Sequence, residues 1–175
     1  VIHGLKTIFP IPLGQAASWN PAVLSEAARI AALEAASAGI NWTFEPMVDI
    51  SRDPRWGRIA ETLGEDPYLC KTLAVAMLGG FQGNDLAKPG SIAACAKHFA
   101  VHSGPEALRH EFNAISNPKD LRETYLPAFK KCVDAGVETV MCAYNRTNDE
   151  ACCGSNLLLQ DILLDEWNFQ GHIVS

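Results

Sequence analysis

Two side chains with chemistry to offer stand together at the end of an apolar run. Ile92 to Ala96 has the length and make-up of a strand buried on both faces, and it ends in Lys97, His98 and Phe99. Sites in barrels and doubly wound sheets lie at the carboxyl ends of strands, so an ammonium and an imidazole at that point are placed to meet a ligand. Taken singly, Lys97 also reads as a solvated loop lysine and His98 as a hydrogen-bonded core histidine. Two further runs repeat the pattern. After the β-prone Asn41–Phe44 come Glu45, Asp49, Arg52, Asp53, Arg55, Arg58, Glu61, Glu65 and Asp66. After Glu138–Ala143 come Tyr144, Asn145 and Arg146. Beyond His98 the chain adds His102, Glu106, Arg109 and His110, with Trp42, Trp56, Tyr68, Phe99 and Tyr144 interleaved. Directed hydrogen bonders mixed with flat apolar rings suit a sugar, whose hydroxyls take polar contacts and whose C–H faces stack on aromatics. Singly, each group has a plainer role: Arg52, Asp53 and Arg55 as a solvated ion-paired loop, Glu61, Glu65 and Asp66 as favourable charges before a helix.

The elements that must position these groups follow from caps and periodicity. Asn20-Pro21, Asp66-Pro67, Asn117-Pro118 and Ser155 predict four helix starts. The first helix carries Val23, Leu24, Ala27, Ile30, Ala31 and Leu33 at helical spacing and closes at Gly39. The second runs to about Leu78 and ends in Gly79, Gly80 and Gly83. The third should kink at Pro127 and end at Gly136, and the fourth covers Asn156 to about Trp167. Thr7 to Trp19, broken by prolines, reads as extended chain leading into a loop. Strand and helix alternate, and His172-Ile173-Val174 opens another strand. The order predicts a parallel sheet with crossover helices, and the absence of GxGxxG or Walker sequences favours a partial (β/α)8 barrel over a nucleotide-binding sheet.

Composition narrows the function. With 175 residues, 48% of them hydrophobic, the chain can bury a core. A formal charge of -6 argues against nucleic acid, and no apolar run approaches the roughly 20 residues of a membrane span. The six cysteines include no CxxC pair, so no zinc site is expected. Cys70 and Cys132 fall within predicted helices, and Cys95 and Cys142 within predicted strands, where a free thiol packs as a small hydrophobe. Adjacent Cys152 and Cys153 are not expected to bridge each other, and whether one pairs elsewhere stays open, as does the compartment.

Several stretches together resemble glycoside hydrolase family 3: DISRDPRWGRIAETLGED (Asp49–Asp66), AKHFAVHSGPE (Ala96–Glu106), RETYLPAF (Arg122–Phe129), VMCAYN (Val140–Asn145) and EWNFQGHIVS (Glu166–Ser175), with HGLKTIFPIPLGQAASWN at the start. The match runs over essentially the whole chain; its first half is similar to periplasmic β-glucosidases and HSGPEALRH and MCAYNRTN to β-xylosidase-like members. The resemblance implies an internal fragment of an N-terminal (β/α)8 catalytic barrel from a retaining β-glycosidase acting on terminal β-glucosyl or β-xylosyl residues of oligosaccharides or aryl glycosides. It implies no cofactor or metal, and a periplasmic or secreted setting. By position, Lys97, His98 and Arg58 would bind sugar hydroxyls, Arg109 would help, and Tyr144 would sit beside the nucleophile. No catalytic carboxylate is assigned within the chain: the family's nucleophilic aspartate is expected immediately after Ser175, an acidic sugar-binding residue before Val1, and the acid/base glutamate in a further domain. The Pro-Gly-His that follows KHF in β-N-acetylglucosaminidases is Ala100-Val101-His102 here, which disfavours that activity. Two rivals are a Schiff-base aldolase using Lys97 and a non-catalytic carbohydrate-binding homologue.

Overall fold

The computed structural model describes residues 6–175; the start of the HGLKTIFP stretch, His3 to Leu5, lies outside them. The core of the fold is an arc of parallel strands in chain order. Strand β1 (Cys95–Phe99) pairs with β3 (Thr139–Cys142), which pairs with β6 (His172–Val174). Residues 41–48 continue the arc on the other side of β1: Thr43 N donates to Ala93 O, Cys95 N to Glu45 O, and Val48 N to Lys97 O. Helices intervene between successive segments, as a right-handed βα repeat requires. This is the (β/α)8-barrel arrangement, of which the chain forms an arc.

The four expected caps are all present. Asn20 accepts from Ala22 and Val23 N–H to open α2 (Pro21–Ser37), after a short α1 (Pro12–Ala16) where extended chain was expected. Asp66 accepts from Leu69 N–H to open α3 (Pro67–Gln82), and Asn117 accepts from Asp120 N–H at α4 (Pro118–Asp120). Ser155 accepts from Leu158 N–H to start a π-helix, Asn156–Glu166. Pro127 divides the third helical region as its missing N–H demands: a π-helical turn, Leu121–Tyr125, precedes α5 (Leu126–Asp134).

Helix α2 buries Leu24, Ala28, Ala32 and Ala35, while Val23, Ile30 and Leu33 face outward. Small residues win the inner face because α3 comes so close: a Cβ added at Gly80 would lie 2.4 Å from Ser25 O and 2.6 Å from Ala28 Cβ. The buried Gln82 amide ties α3 to the sheet, with Oε1 accepting from Ala94 and Glu138 N–H and Nε2 donating to Gly136 O. Under the strand ends, Phe99 packs edge-to-face on Phe129 (5.1 Å) and Trp167 (5.7 Å). No helix of the described residues is long and apolar enough to cross a membrane.

Two local results differ from the sequence reading. The strand expected over Ile92–Ala96 is centred later, so that Lys97 and His98 lie within β1 and not past it. Its pairing with Thr139–Cys142 explains this, and a register shift between Lys97 and Phe99 bulges the strand at His98. Cys142 is not a free thiol: it forms a disulfide with Cys153, while Cys152 stays free and buried. The bridge closes the loop that holds Tyr144 and Asn145 against the end of β3. With a sequence separation of 11, its loss should cost about 3 kcal/mol of stability by unfolded-state entropy. Urea unfolding of a Cys142→Ala/Cys153→Ala double variant of the full-length protein measures this; a midpoint unchanged from wild type would contradict it.

Candidate active site

The loops that follow the strands are stitched together before any side chain enters the site. A second small sheet brings β2 (Asn113–Ala114) beside β4 (Arg146–Thr147), which turns back through Asn148 and Asp149, both at positive φ, into β5 (Glu150–Ala151). Both turn residues are of the types that tolerate this conformation. The sheet joins the loop after β1 to the loop after β3 and sets His110 against Tyr144, ring centroids 5.2 Å apart.

A chain of polar contacts runs through the rim. Asp49 Oδ2, at the end of residues 41–48, lies 2.9 Å from both the backbone N and Nδ1 of His98. His98 Nε2 lies 3.0 Å from Arg58 Nη1. Arg58 in turn makes a two-pronged ion pair with Glu61, Nε and Nη2 each 2.7 Å from a carboxylate oxygen. His98 is only 1% exposed and packs against His102 (4.4 Å between centroids) and Tyr144 (5.5 Å). Behind it, His102 Nδ1 faces Asn145 Oδ1 at 3.1 Å, Asn145 donates to Val101 O, and the buried Trp56 ring stands at right angles to His102.

Charge in the rim is arranged for donation. The Lys97 ammonium is partly buried and, among the described residues, makes no hydrogen bond within the chain; burial and the nearby Arg58 guanidinium push its pKa below 10.5. Glu61 is held below the usual carboxylate range by its bonds to Arg58, and Arg58 is raised by the same pair. Burial raises the Glu45 carboxyl and lowers His102. Three groups beside one another, Arg58, Lys97 and Glu61, can thus offer several N–H donors and a fixed carboxylate to a polyhydroxylated ligand.

Of the five residues singled out from sequence, Arg58, Lys97, His98 and Tyr144 come together. Arg109 stands one step back: it pairs with Glu106 at 2.8 Å, and Glu106 Oε2 accepts the Gly57 N–H at 3.0 Å. A Cβ on Gly57 would meet the Glu106 carboxyl at 2.6 Å, so the glycine permits this closure. Asp53 also lies elsewhere, its carboxyl drawn down to about 2 by Arg55. The sequence reading missed the structural parts of Asp49, Glu61, His102 and Asn145. Glu61 read as a helix-favouring charge, yet it sits three residues after Arg58 on a 3-10 turn and turns back to it.

Comparison with known proteins bears on what this rim is for. The family model described as the glycosyl hydrolase family 3 N terminal domain matches residues 1–175. The chain belongs to glycosyl hydrolase family 3. It is 47% identical to a xylan 1,4-β-xylosidase of Xylanibacter ruminicola over 98% of this chain and 22% of that protein. It is 42% identical to a periplasmic β-glucosidase of Salmonella typhimurium over 100% of this chain and 23% of that protein. Among solved structures, a β-glucosidase from Listeria innocua in complex with glucose superposes with a TM-score of 0.91 at 38% identity, covering 99% of this chain and 24% of that one. The chain therefore spans between a fifth and a quarter of the length of these relatives. Both curated relatives are named as glycosidases, in line with what the KHF and RDPRWGR stretches imply.

Proposed function

We propose that these residues form the sugar-binding part of the N-terminal barrel of a longer retaining β-glycosidase, one that removes terminal β-D-glucosyl or β-D-xylosyl residues. In this reading Arg58 and Lys97 donate to hydroxyls of the terminal sugar and His98 lines the same wall. Tyr144 packs beside the reacting carbon, and Arg109 steadies the rim through Glu106. The nucleophilic aspartate follows Ser175, and the acid/base glutamate comes from another domain; a retaining pair needs carboxyls about 5–5.5 Å apart across the bond. The observation that carries the reading is the convergence of Arg58 and Tyr144 on His98, from three different strand–loop units.

The names of the relatives support glycoside hydrolysis, and both sugars occur among them. The periplasmic relative and the Cys142–Cys153 disulfide support an oxidising compartment, periplasmic or secreted. The test is turnover of aryl β-glucosides and β-xylosides by the full-length protein, with the product anomer followed by NMR. Hydrolysis with retention is the expected result. An inverted product, or sugar binding without turnover, would overturn the proposal, the second in favour of a non-catalytic carbohydrate binder.

A further inference from the structure

We propose that Asp49 and Glu61 are positioning residues that clamp His98 and Arg58 from opposite ends, and that Asp49 holds His98 as its Nδ1–H tautomer. The assignment follows from which partners can only donate or only accept. Asp49 Oδ2 faces the backbone N of His98, which can only donate, so that oxygen is an acceptor; Nδ1, 2.9 Å from the same oxygen, must carry its hydrogen. At the other end Nε2 lies 3.0 Å from a guanidinium nitrogen, which has no lone pair to offer, so Nε2 is bare. Both ends demand the same tautomer, and a ring only 1% exposed has little water to restore the other.

The clamp also decides what Arg58 can offer. A guanidinium has five N–H donors. Glu61 takes two of them and His98 takes one, which leaves one on each terminal nitrogen. Glu61 and His98 fix the plane of an otherwise rotamer-rich side chain carried on a loop, so those two donors keep one direction before a ligand arrives. It follows that a sugar hydroxyl meeting Arg58 or Lys97 accepts, while the single lone pair of His98 Nε2 is already taken by Arg58. This inference rests on the proposed sugar site for its kinetic consequence, but the tautomer does not depend on that reading.

The test uses the full-length protein in two arms. With 15N-labelled histidine, and His98 identified by its loss in His98→Asn, the expected spectrum has a protonated Nδ1 and an unprotonated Nε2. Asp49→Asn, whose amide oxygen can still accept, keeps that pattern; Asp49→Ala loses it. In the kinetic arm, Asp49→Ala and Glu61→Ala raise KM for an aryl β-glycoside roughly 10- to 100-fold with a smaller change in kcat, as expected for losing hydrogen bonds to charged groups, and Asp49→Asn recovers most of the loss. Glu61 lies at the rim and keeps the test open should Asp49→Ala fail to fold. A protonated Nε2 in the wild type would overturn the proposal, as would KM values unchanged in Glu61→Ala. Unchanged kinetics in Arg58→Ala would instead overturn the sugar-site reading and leave the tautomer result standing.

Discussion

Lys97→Met in the full-length protein should lower kcat/KM for an aryl β-glycoside by roughly 100- to 1000-fold, the usual cost of removing one preorganised donor, and should raise the unfolding temperature at neutral pH. Both effects have one cause. The ammonium is held partly buried beside Arg58 without a hydrogen-bond partner among the described residues, so its pKa lies below the unfolded value of 10.5. A lysine lowered in this way costs stability wherever both states are protonated, and the cost fades as pH climbs from the folded pKa toward the unfolded one. The protein tolerates that cost because the ligand supplies the missing acceptors. Activity has the opposite dependence: substrate binding should weaken as pH rises through the lowered pKa, earlier than for an exposed lysine. Lys97→Arg, which stays charged, should remove that alkaline decline while working poorly at every pH, since a planar fork does not replace a compact ammonium. A Lys97→Met protein that is both active and less stable would contradict this account.

Phe99→Ala should cost about 3–5 kcal/mol, the range for truncating a buried aromatic. Phe99 is fully buried and sits between Phe129 and Trp167, where α5, the π-helix and β1 meet. Total stability is only about 5–15 kcal/mol, so the variant should lose a fifth or more of it and shift the urea midpoint accordingly. Phe99→Leu, closer in volume, should cost much less. Because Phe99 follows His98 directly on the bulged strand, Phe99→Ala should also weaken substrate binding, although Phe99 faces away from the rim. A midpoint shift equivalent to less than about 1 kcal/mol would mean that the site-bearing strand is not anchored through this ring.

How much of this could be read from the chain depends on the range of the cause. Helix starts are local, and Asn20, Asp66, Asn117 and Ser155 announced them correctly. The alternation of strand and helix pointed to a parallel sheet with crossover helices, and the absence of nucleotide-binding motifs favoured the barrel. Strand register is not local: Ile92–Ala96 is the more apolar stretch, yet pairing with Thr139–Cys142 and with residues 41–48 carries the ladder on to Phe99. For the same reason Asp49, separated by 49 residues from His98, could be named as one carboxylate in a charged loop but not as the imidazole's partner. The Cys142–Cys153 bridge was equally hidden, since the hairpin Arg146–Ala151 that brings the two together carries no hydrophobic pattern of its own. Arg58, Lys97, His98 and Tyr144 were visible because their types and their places after strands coincide.

The most direct measurement is a crystal structure of the full-length protein with a bound monosaccharide or its lactone. The account predicts ring hydroxyls within about 3 Å of Lys97 Nζ and of the two free Arg58 N–H groups, with His98 Nε2 still in contact with Arg58 Nη1 and Tyr144 alongside the anomeric carbon. A sugar seated elsewhere, with Lys97 and Arg58 contacting only solvent, would contradict it.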